Sequence, residues 1–434
     1  MKIALISFGS RGDLEPVAAL GNALAERGHE VRVIANKDIL DLGLNVAFDI
    51  RAIPLNVKQL LHEEGDRLLQ AKSAVKSLKI LSGIILNNLQ VLSFEVFQQA
   101  RDCDLILINE RYYVLAQNFE EAGARVIQLC FQPKGATSDF PYLYFRPWYF
   151  RFLSNKLTHK LLDRMLLGKF LTPVNHMRRT DLRLPPLRLQ EVLEKKWATP
   201  LLQGFSPSLF RRPADWPDHL VVCGNWSFPN PAEQSLPNEL LDFLQGEEKT
   251  LCVGFGSMLY DVSKMRLLLE NLAQKCRIKI VWLQNWTEQH RQSGPKSSEQ
   301  LFVLNNCPHE LLFTRVDAVW HHGGAGTVNT AARCGTPQLV SWFMLDQQFW
   351  AKRVQETGIG QNLGAFHALK PKKVEDALQQ ILGAKEISGK CRELASGIQQ
   401  ENGVQRTLEV MEERGWLEPV RTSDAVFSTR QTTY

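Results

Sequence analysis

The order of apolar strands and amphipathic helices constrains the fold of this chain more than any other feature. Residues 2–8 form a continuous apolar run, a loop with glycines and charges follows, and Pro16 stands where a helix can begin without needing a backbone donor. That helix is predicted to end near Gly28, before a second apolar strand at 31–35. Strand, helix and strand in this order form the βαβ unit of a parallel sheet, so we predict an α/β fold.

The same pattern restarts in the second half of the chain. Prolines crowd residues 206–240, where neither a helix nor a strand can run far, and strands alternate with helices again from Thr250 onward. At 434 residues the chain exceeds what one hydrophobic core usually organises. We therefore predict two Rossmann-like domains, at 1–228 and 229–399, with a helix at about 400–418 that packs back on the first domain.

Composition and charge narrow the class of protein. Lys and Arg total 51 against 46 Asp and Glu, a balance too weak to imply nucleic acid as a partner. Arg11 and Asp13 interrupt the N-terminal stretch before a signal-peptide core forms, and the most apolar later stretch, 78–92, is shorter than the roughly 20 residues of a membrane span. Eight scattered cysteines fit neither a disulfide framework nor a zinc site. We expect a soluble, cytoplasmic protein.

Two glycine-rich turns follow apolar strands in the second half. In HHGGAGT, residues 321–327, a strand leads into glycines and then into a helix predicted to start near Thr327, whose free amides and dipole suit a phosphate. His322 can donate to a phosphate oxygen, and VGFGSM, residues 253–258, supplies a second such turn with Ser257. Because glycines also permit tight packing of a helix on a strand, the turn alone leaves that structural interpretation open.

A third junction between strand and helix lies in MLDQQFW, residues 344–350. Asp346 and Gln347 can accept and donate hydrogen bonds to several hydroxyl groups, which is what the binding of a sugar requires. Asp346 is also well placed to cap the helix that follows, a role that Asp fills often. The residues by themselves do not separate these two roles.

Two widely separated segments carry a specific resemblance. SFGSRGDLEPVAALGNALAERGHEV, residues 7–31, and the run at 307–360 that contains HHGGAGT resemble the GT-B nucleotide-sugar glycosyltransferases of family 1, in the branch of the sterol and glycopeptide-antibiotic enzymes. Residues 50–200 match only loosely. The resemblance implies two Rossmann-like domains facing across a cleft, a donor held by the C-terminal domain, an acceptor held by the N-terminal domain, and an inverting, metal-independent reaction without a cofactor.

The resemblance also implies roles for individual residues. The HHGGAGT turn would hold the diphosphate, Asp346 and Gln347 would hold the sugar, and the loop 306–309 would meet the nucleobase. Plant relatives carry Trp where Asn306 stands, so the choice between UDP and dTDP stays open. The predicted donor-binding residues are Ser10, Arg11, Ser257, His309, His322, Gly324, Gly326, Thr327, Asp346 and Gln347.

Asp13 is the predicted catalytic residue. Plant members use a histidine near this turn, whereas this branch has an aspartate, and a carboxylate can take the proton of an acceptor hydroxyl as it attacks the anomeric carbon. The alternatives are a simple turn residue and an adhesion tripeptide, RGD at 11–13. The DxD at 102–104 is a metal-binding signature of another glycosyltransferase fold, but it precedes a predicted strand and so stands at the wrong end of the sheet for a ligand.

The acceptor region is expected to be apolar and basic. Residues 140–170 hold eight aromatic side chains between 140 and 152, together with the cations Arg146, Arg151, Lys156, Lys160 and Arg164. Such a segment can rest on an anionic membrane, line a pocket for a hydrophobic acceptor, or pack on the N-terminal domain with its basic face in water. Glu110 follows the strand at 104–108 and can orient an acceptor or Asp13, or be a solvated loop carboxylate.

These features together predict a glycosyltransferase that moves a hexose from a UDP- or dTDP-sugar to a hydroxyl of a hydrophobic small molecule, such as a sterol, a polyketide or a carotenoid. A nucleotide-sugar epimerase of the same fold would explain the phosphate turns but not the Asp13 loop. A non-catalytic nucleotide-sugar-binding protein would keep the donor residues without turnover. A dehydrogenase is disfavoured because the first turn reads GSRGD rather than GxGxxG.

Overall fold

A computed structural model describes most of the chain. The described residues are 1–55, 59, 63, 74–142, 152–228, 235–284, 297–305, 307–344 and 346–418. Asn306 and the aromatic stretch 143–151, both singled out in the sequence, lie outside the described residues.

The N-terminal half is built on one parallel sheet. Its described strands are β1 (Lys2–Ile6), β2 (Glu30–Asn36), β3 (Asp49–Ile53), β4 (Leu105–Asn109), β5 (Arg125–Cys130), β6 (Leu201–Gln203) and β7 (Leu220–Val222). They lie in the order β3-β2-β1-β4-β5-β6-β7, and every neighbouring pair is parallel. Its described helices are α1 (Arg11–Glu26), α2 (Ala74–Ala100), α3 (Ala116–Glu121), α4 (Asn155–Met177) and α5 (Leu189–Ala198). Helices cover both faces, which is why β1 and β4 are continuous buried apolar runs.

The C-terminal half repeats this architecture. Its described strands are β8 (Thr250–Gly254), β9 (Lys279–Leu283), β10 (Leu301–Leu304), β11 (Ala318–His321), β12 (Gln338–Trp342) and β13 (Gly360–Ala365), in the order β10-β9-β8-β11-β12-β13 and all parallel. Its described helices are α6 (Asn238–Phe243), α7 (Val262–Cys276), α8 (His309–Phe313), α9 (Ala325–Arg333), α10 (Gln347–Glu356), α11 (Pro371–Gly383), α12 (Lys385–Gln399) and α13 (Gly403–Glu413). The predicted fold class, two parallel α/β sheets, is confirmed.

The strand order fixes where a ligand can bind. In the first sheet β1 lies between β2 and β4, and in the second β8 lies between β9 and β11, so each sheet reverses its winding beside its first strand. Such a switch point leaves a crevice outside the carboxyl ends of the two strands. The loops that follow β1, β4, β8 and β11 therefore border the two crevices, and they contain most of the residues that the sequence singled out.

The two halves meet through apolar contacts as well as through the chain. Phe205 and Phe210 share one buried cluster with Trp350, and the Ser206 backbone N–H donates to Asn329 Oδ1 at 3.0 Å. Helix α13 packs against α1, with Leu408 buried in the core of the N-terminal half. The residue bounds proposed for the two domains, 1–228 and 229–399, stay a prediction.

Two helices begin earlier than the sequence predicted. Helix α1 starts at Arg11 rather than at Pro16, because the Ser10 N–H and the Asp13 carboxylate close its first turn. Helix α9 starts at Ala325 rather than near Thr327, with Gly324 as its N-cap. Among the described residues, none of the helices combines the length and the apolar character needed to cross a bilayer.

Candidate active site

Asp13 lies in the first turn of α1, at the switch point of the first sheet. Its Oδ2 accepts a hydrogen bond from the Ser10 backbone N–H at 3.1 Å, and its backbone carbonyl accepts one from Ser7 Oγ at 3.0 Å. The side chain is 17% exposed. Asp13 thus closes the helix terminus and still presents carboxylate surface to the crevice, and its catalytic role stays a prediction.

Gly9 makes room for this carboxylate. Its φ is 152°, which L residues other than glycine rarely adopt, and a Cβ at this position would overlap the Asp13 carboxylate. The Gly9 N–H donates to Asn36 Oδ1 at 2.9 Å, so the loop after β1 is tied to the end of β2. The first glycine of the GSRGD motif, Gly9, is therefore required by the placement of Asp13.

Arg111 contacts Asp13 from the neighbouring strand, and it belongs to no motif that the sequence analysis singled out. It follows β4, and its Nη1 donates to Asp13 Oδ1 at 3.0 Å. Burial disfavours the charge on Arg111, but the carboxylates of Asp13, Asp346 and Glu110 outweigh burial and raise the pKa of Arg111 above its ordinary value. The only sequence signal was its place one residue beyond Glu110, at the carboxyl end of a predicted strand.

His322 lies between the two glycine-rich turns of the C-terminal half. A Cβ on Gly324 would meet its Nε2 at 2.5 Å, and a Cβ on Gly256, whose φ is 58°, would meet its Cε1 at 3.1 Å. Burial, together with His309, lowers the pKa of His322 to about 4. The imidazole is therefore neutral near pH 7. It can offer a hydrogen bond to a phosphate group, but it carries no positive charge.

His321, the first imidazole of HHGGAGT, has a structural role. It is fully buried, its Nδ1 accepts from the Gly323 N–H at 3.1 Å, and its Nε2 lies 2.9 Å from Gln338 Oε1. These partners select the tautomer with hydrogen on Nε2. His321 thereby holds the glycine turn in place for the residues that follow.

The amino end of α9 presents free backbone donors at the switch point of the second sheet. Gly324 is the N-cap, and the first amide with an intrahelical acceptor is that of Val328, which donates to the Gly324 carbonyl at 3.0 Å. Gly326 is exposed, and a Cβ there would meet no atom within 4 Å. Ser257 and Thr327, both partly exposed, stand in the turn after β8 and in the first turn of α9. This is the arrangement that binds phosphate at helix N-termini.

Asp346 and Gln347 are placed differently from each other. Asp346 is the N-cap residue of α10, but its side chain makes no capping hydrogen bond, so the capping alternative does not account for its carboxylate. Burial raises the pKa of Asp346 above its ordinary value, against the opposing effect of Arg111. The Gln347 side chain is buried, and its Oε1 accepts from the backbone N–H groups of Phe343 and Met344 at 2.8 and 3.0 Å. The Gln347 amide nitrogen donates to Met258 Sδ at 3.3 Å, so Gln347 is held by contacts within its own half, and its role toward a sugar stays a prediction.

Charged groups of the two halves face each other across the gap. The charges of Arg111, Asp13 and Lys134 in the first half act on the pKa of Asp346 in the second. Burial, together with the charge of Arg11 in the first half, lowers the pKa of His309 in the second half to about 4. Asp13 and Arg111 of the first half thus lie close enough to Asp346 of the second for their charges to interact.

Glu110 differs from the solvated carboxylate that the sequence left open. It is buried, with Lys134 Nζ at 3.6 Å from Oε1 and Lys196 Nζ at 3.3 Å from Oε2. Burial opposes its charge, but the two ammonium groups prevail and lower its pKa to about 2. Glu110 anchors the segment that carries Arg111, and does not itself reach the gap as a solvated group.

The DxD motif precedes β4, at the amino ends of the strands of the first sheet and away from the switch point, as predicted. Asp102 pairs with Arg32 at 2.6 Å, and Asp104 Oδ2 accepts from the Lys2 backbone N–H at 2.7 Å. In the part of the chain that the structure describes, no group of three or more His, Cys, Asp or Glu side chains is arranged to hold a metal ion. Metal independence stays a prediction.

Two families match the chain in sequence. The family described as "Glycosyltransferase family 28 N-terminal domain" matches residues 3–99, and the family described as "Erythromycin biosynthesis protein CIII-like, C-terminal domain" matches residues 280–409. The sterol 3-beta-glucosyltransferase of Debaryomyces hansenii is 25% identical over 427 residues, and that of Glomerella lagenarium is 26% identical over 424 residues. Both alignments cover 94% of this chain but only 26% and 28% of the relatives, so the chain spans about a quarter of their length.

Solved glycosyltransferase structures share the fold. The glycotransferase of kitacinnamycin aligns with a TM-score of 0.67 and 17% identity over 95% of this chain and 98% of its own. Os79 from O. sativa, solved in complex with U2F and trichothecene, aligns with a TM-score of 0.64 and 14% identity over 95% of this chain and 99% of its own. The shared architecture shows that this chain has the GT-B fold, and its two family matches and its sterol 3-beta-glucosyltransferase relatives are similar to it over both halves.

Proposed function

We propose that this protein transfers a hexose from a UDP- or dTDP-sugar to a hydroxyl group of a hydrophobic small molecule, with inversion and without a metal ion. The observation that carries the proposal is the convergence, at one gap, of the Asp13 carboxylate from the first sheet with the glycine turns and Asp346 from the second. Two relatives named as sterol 3-beta-glucosyltransferases support an apolar acceptor such as a sterol.

Asp13 is the general base of the proposed reaction. An alcohol is a weak nucleophile until its proton is removed, and a carboxylate in hydrogen-bond reach can accept that proton as the oxygen attacks the anomeric carbon. Oδ1 of Asp13 accepts one hydrogen bond, from Arg111, and so keeps acceptor capacity for a substrate hydroxyl, whereas Oδ2 accepts from both the N–H and the hydroxyl group of Ser10. The new bond joins the acceptor oxygen to the anomeric carbon, and the bond from that carbon to the diphosphate oxygen breaks.

The leaving diphosphate takes the electron pair and needs stabilisation as its charge grows. We assign this role to the amino end of α9, where the amides of Gly326 and Thr327 have no intrahelical acceptor. The neutral His322 imidazole adds a hydrogen bond, and Ser257 contributes a hydroxyl from the adjacent turn. We assign Ser10 and Arg11, at the start of α1 in the opposite half, to the binding of the same diphosphate.

Sugar and nucleobase would bind on either side of this turn. Asp346, free of a capping bond, accepts from sugar hydroxyl groups, and the Gln347 amide nitrogen donates to them. His309 stacks on Phe313 with ring centroids 4.9 Å apart, at the edge where the resemblance places the nucleobase. In the proposed reaction these residues hold the donor so that its anomeric carbon faces Asp13.

Helix α4 gives the proposed acceptor side a basic and apolar outer face. Phe152 just before the helix is 83% exposed, and Leu157 and Met165 on the helix are 46% and 49% exposed. The cations Lys160 and Arg164 are exposed on the same segment, and within the described residues neither forms an ion pair. This composition suits an anionic membrane surface, from which an apolar acceptor can be drawn.

Two experiments test the proposal. Thermal stabilisation is measured with UDP, dTDP, UDP-glucose and dTDP-glucose, and the stabilising donor is then incubated with hydrophobic alcohols such as ergosterol. Glycoside formation that requires the alcohol supports the proposal. Donor conversion without any acceptor would indicate an epimerase instead, and binding without turnover a helper protein.

Membrane contact is tested separately by co-sedimentation with vesicles of phosphatidylglycerol and phosphatidylcholine. The double variant K160E/R164E is expected to lose binding, whereas the charge-matched control K264E/K352E, on exposed sites of the other half, keeps it. Equal sedimentation of the protein with and without anionic vesicles would remove the membrane contact from the proposal.

A further inference from the structure

Arg111, which follows β4, holds the Asp13 carboxylate from the neighbouring strand, with Nη1 3.0 Å from Oδ1. We infer that Arg111 is a positioning residue that orients the proposed base Asp13. This inference rests on the proposed function, because it acts through the base assigned there.

The contact geometry supports an orienting role. Arg111 Nη1 holds Asp13 Oδ1 at 3.0 Å, while the Ser10 N–H holds Oδ2 at 3.1 Å from the other side. Ser10 Oγ also donates to Oδ2, at 3.4 Å, so Ser10 holds one carboxylate oxygen and Arg111 the other, and the carboxylate plane is fixed by groups from two different loops. Loss of Arg111 leaves only the Ser10 side, and the carboxylate can then turn about its Cβ–Cγ bond and away from the acceptor hydroxyl.

The backbone of Arg111 is itself anchored. Its N–H donates to Asn109 Oδ1 at 3.2 Å, and Asn109 Nδ2 lies 3.4 Å from Ser7 Oγ, which in turn holds the Asp13 carbonyl. The preceding residue, Glu110, is buried between Lys134 and Lys196. The guanidinium is therefore carried by a rigid segment at the end of β4, as the positioning of a reactive group requires.

Partial exposure separates this role from a purely structural one. The Arg111 side chain is 34% exposed and Asp13 is 17% exposed, so their ion pair contributes little to folding stability. Substitution of Arg111 should therefore leave the fold intact while it changes turnover. A residue that only supports the fold would do the reverse.

The test compares R111M, R111K and the matched control R51M in the full chain. Arg51 also pairs with an aspartate, Asp49, at 2.6 Å, but on the edge strand β3. We expect R111M to lower kcat about 10- to 100-fold, the loss typical of a misplaced catalytic group, with the Kd for UDP within about threefold of wild type. R111K is expected to have a kcat at least threefold above that of R111M, because a lysine ammonium keeps the charge and can make the single hydrogen bond to Oδ1, and R51M is expected to behave as wild type. If R111M does not fold, R111Q replaces it with the same expectation.

Two outcomes would overturn the inference. A kcat of R111M within twofold of wild type would show that Asp13 needs no orienting partner, and an equal loss of UDP affinity and kcat would place Arg111 in donor binding. The variant D13N separates the inference from the proposed function. If D13N turns over like wild type, the base assignment itself fails, whereas an inactive D13N beside a fully active R111M refutes only the role of Arg111.

Discussion

Replacement of Gly326 by alanine is expected to raise stability and lower donor affinity at once. Gly326 is helical and exposed, and a Cβ there meets no atom within 4 Å, so the methyl group introduces no clash in the free protein. Glycine to alanine at such a site restricts the unfolded chain and stabilises a protein by about 0.4–1 kcal/mol. For a transition that involves one or both domains, this corresponds to a rise in Tm of about 1–2 °C.

The effect on donor binding has the opposite sign. Side chains on a helix lean toward its N-terminus, so the new methyl group at Gly326 extends toward the proposed position of the diphosphate. A shift of the anion by about 1 Å weakens hydrogen bonds to backbone amides that contribute roughly 1.5–3 kcal/mol each when charge-assisted. Loss of one such bond corresponds to about a tenfold or greater increase in the Kd for UDP.

Calorimetric titration with UDP and dTDP, together with thermal unfolding without ligand, measures both effects. Gly389→Ala is the matched control, because Gly389 is also helical, in α12, and a Cβ there also meets no atom within 4 Å. The control is expected to show a similar rise in Tm and no change in Kd. If Gly326→Ala binds both nucleotides within twofold of wild type, the diphosphate does not lie against this turn and the reasoning is refuted.

Two further predictions concern stability. Burial lowers the pKa of His159 to about 4 and that of His321 to about 3. Between pH 6.5 and 4.5 the unfolded chain therefore takes up protons that the folded chain does not, and the free energy of unfolding falls by up to about 1.4 kcal/mol per pH unit for each histidine. In denaturant titrations His159→Gln should remove about 1 kcal/mol per pH unit of that slope, and an unchanged slope would contradict this account. Arg178 is fully buried and donates to Asn118 Oδ1 at 2.6 Å and to Glu121 at 2.9 Å. Arg178→Met should therefore lower the free energy of unfolding in urea by about 3 kcal/mol. A loss below about 1 kcal/mol would refute that account.

The architecture was predictable because parallel strands covered on both faces are continuous apolar runs. β1, β4 and β8 are such runs, and each is followed by glycines or polar residues that stop it. β6 and β7 are three residues long and carry no periodic signal, so their place at the end of the first sheet depends on the pairing of β6 with β5 and of β7 with β6, and not on local pattern.

The site was predictable only where one loop carries it. Asp13 and His322 lie in motifs read directly from the chain, and the strand order then brings their loops to the two switch points. Arg111 pairs with Asp13 from 98 residues away and belongs to no motif, so no local pattern indicates it. The burial of Glu110 was not predictable for the same reason, because the lysines that pair with it, Lys134 and Lys196, come from distant segments of the chain.

The central claim is that a diphosphate on the α9 turn and a proton acceptor on α1 share one reaction centre. Asp13→Ala tests this claim most directly when UDP binding and glycoside formation are measured on the same preparation. The account predicts a Kd for UDP within about twofold of wild type and a loss of transfer of roughly 10²- to 10⁴-fold, the usual contribution of general base catalysis. Turnover equal to wild type would contradict it, whatever the affinity for UDP.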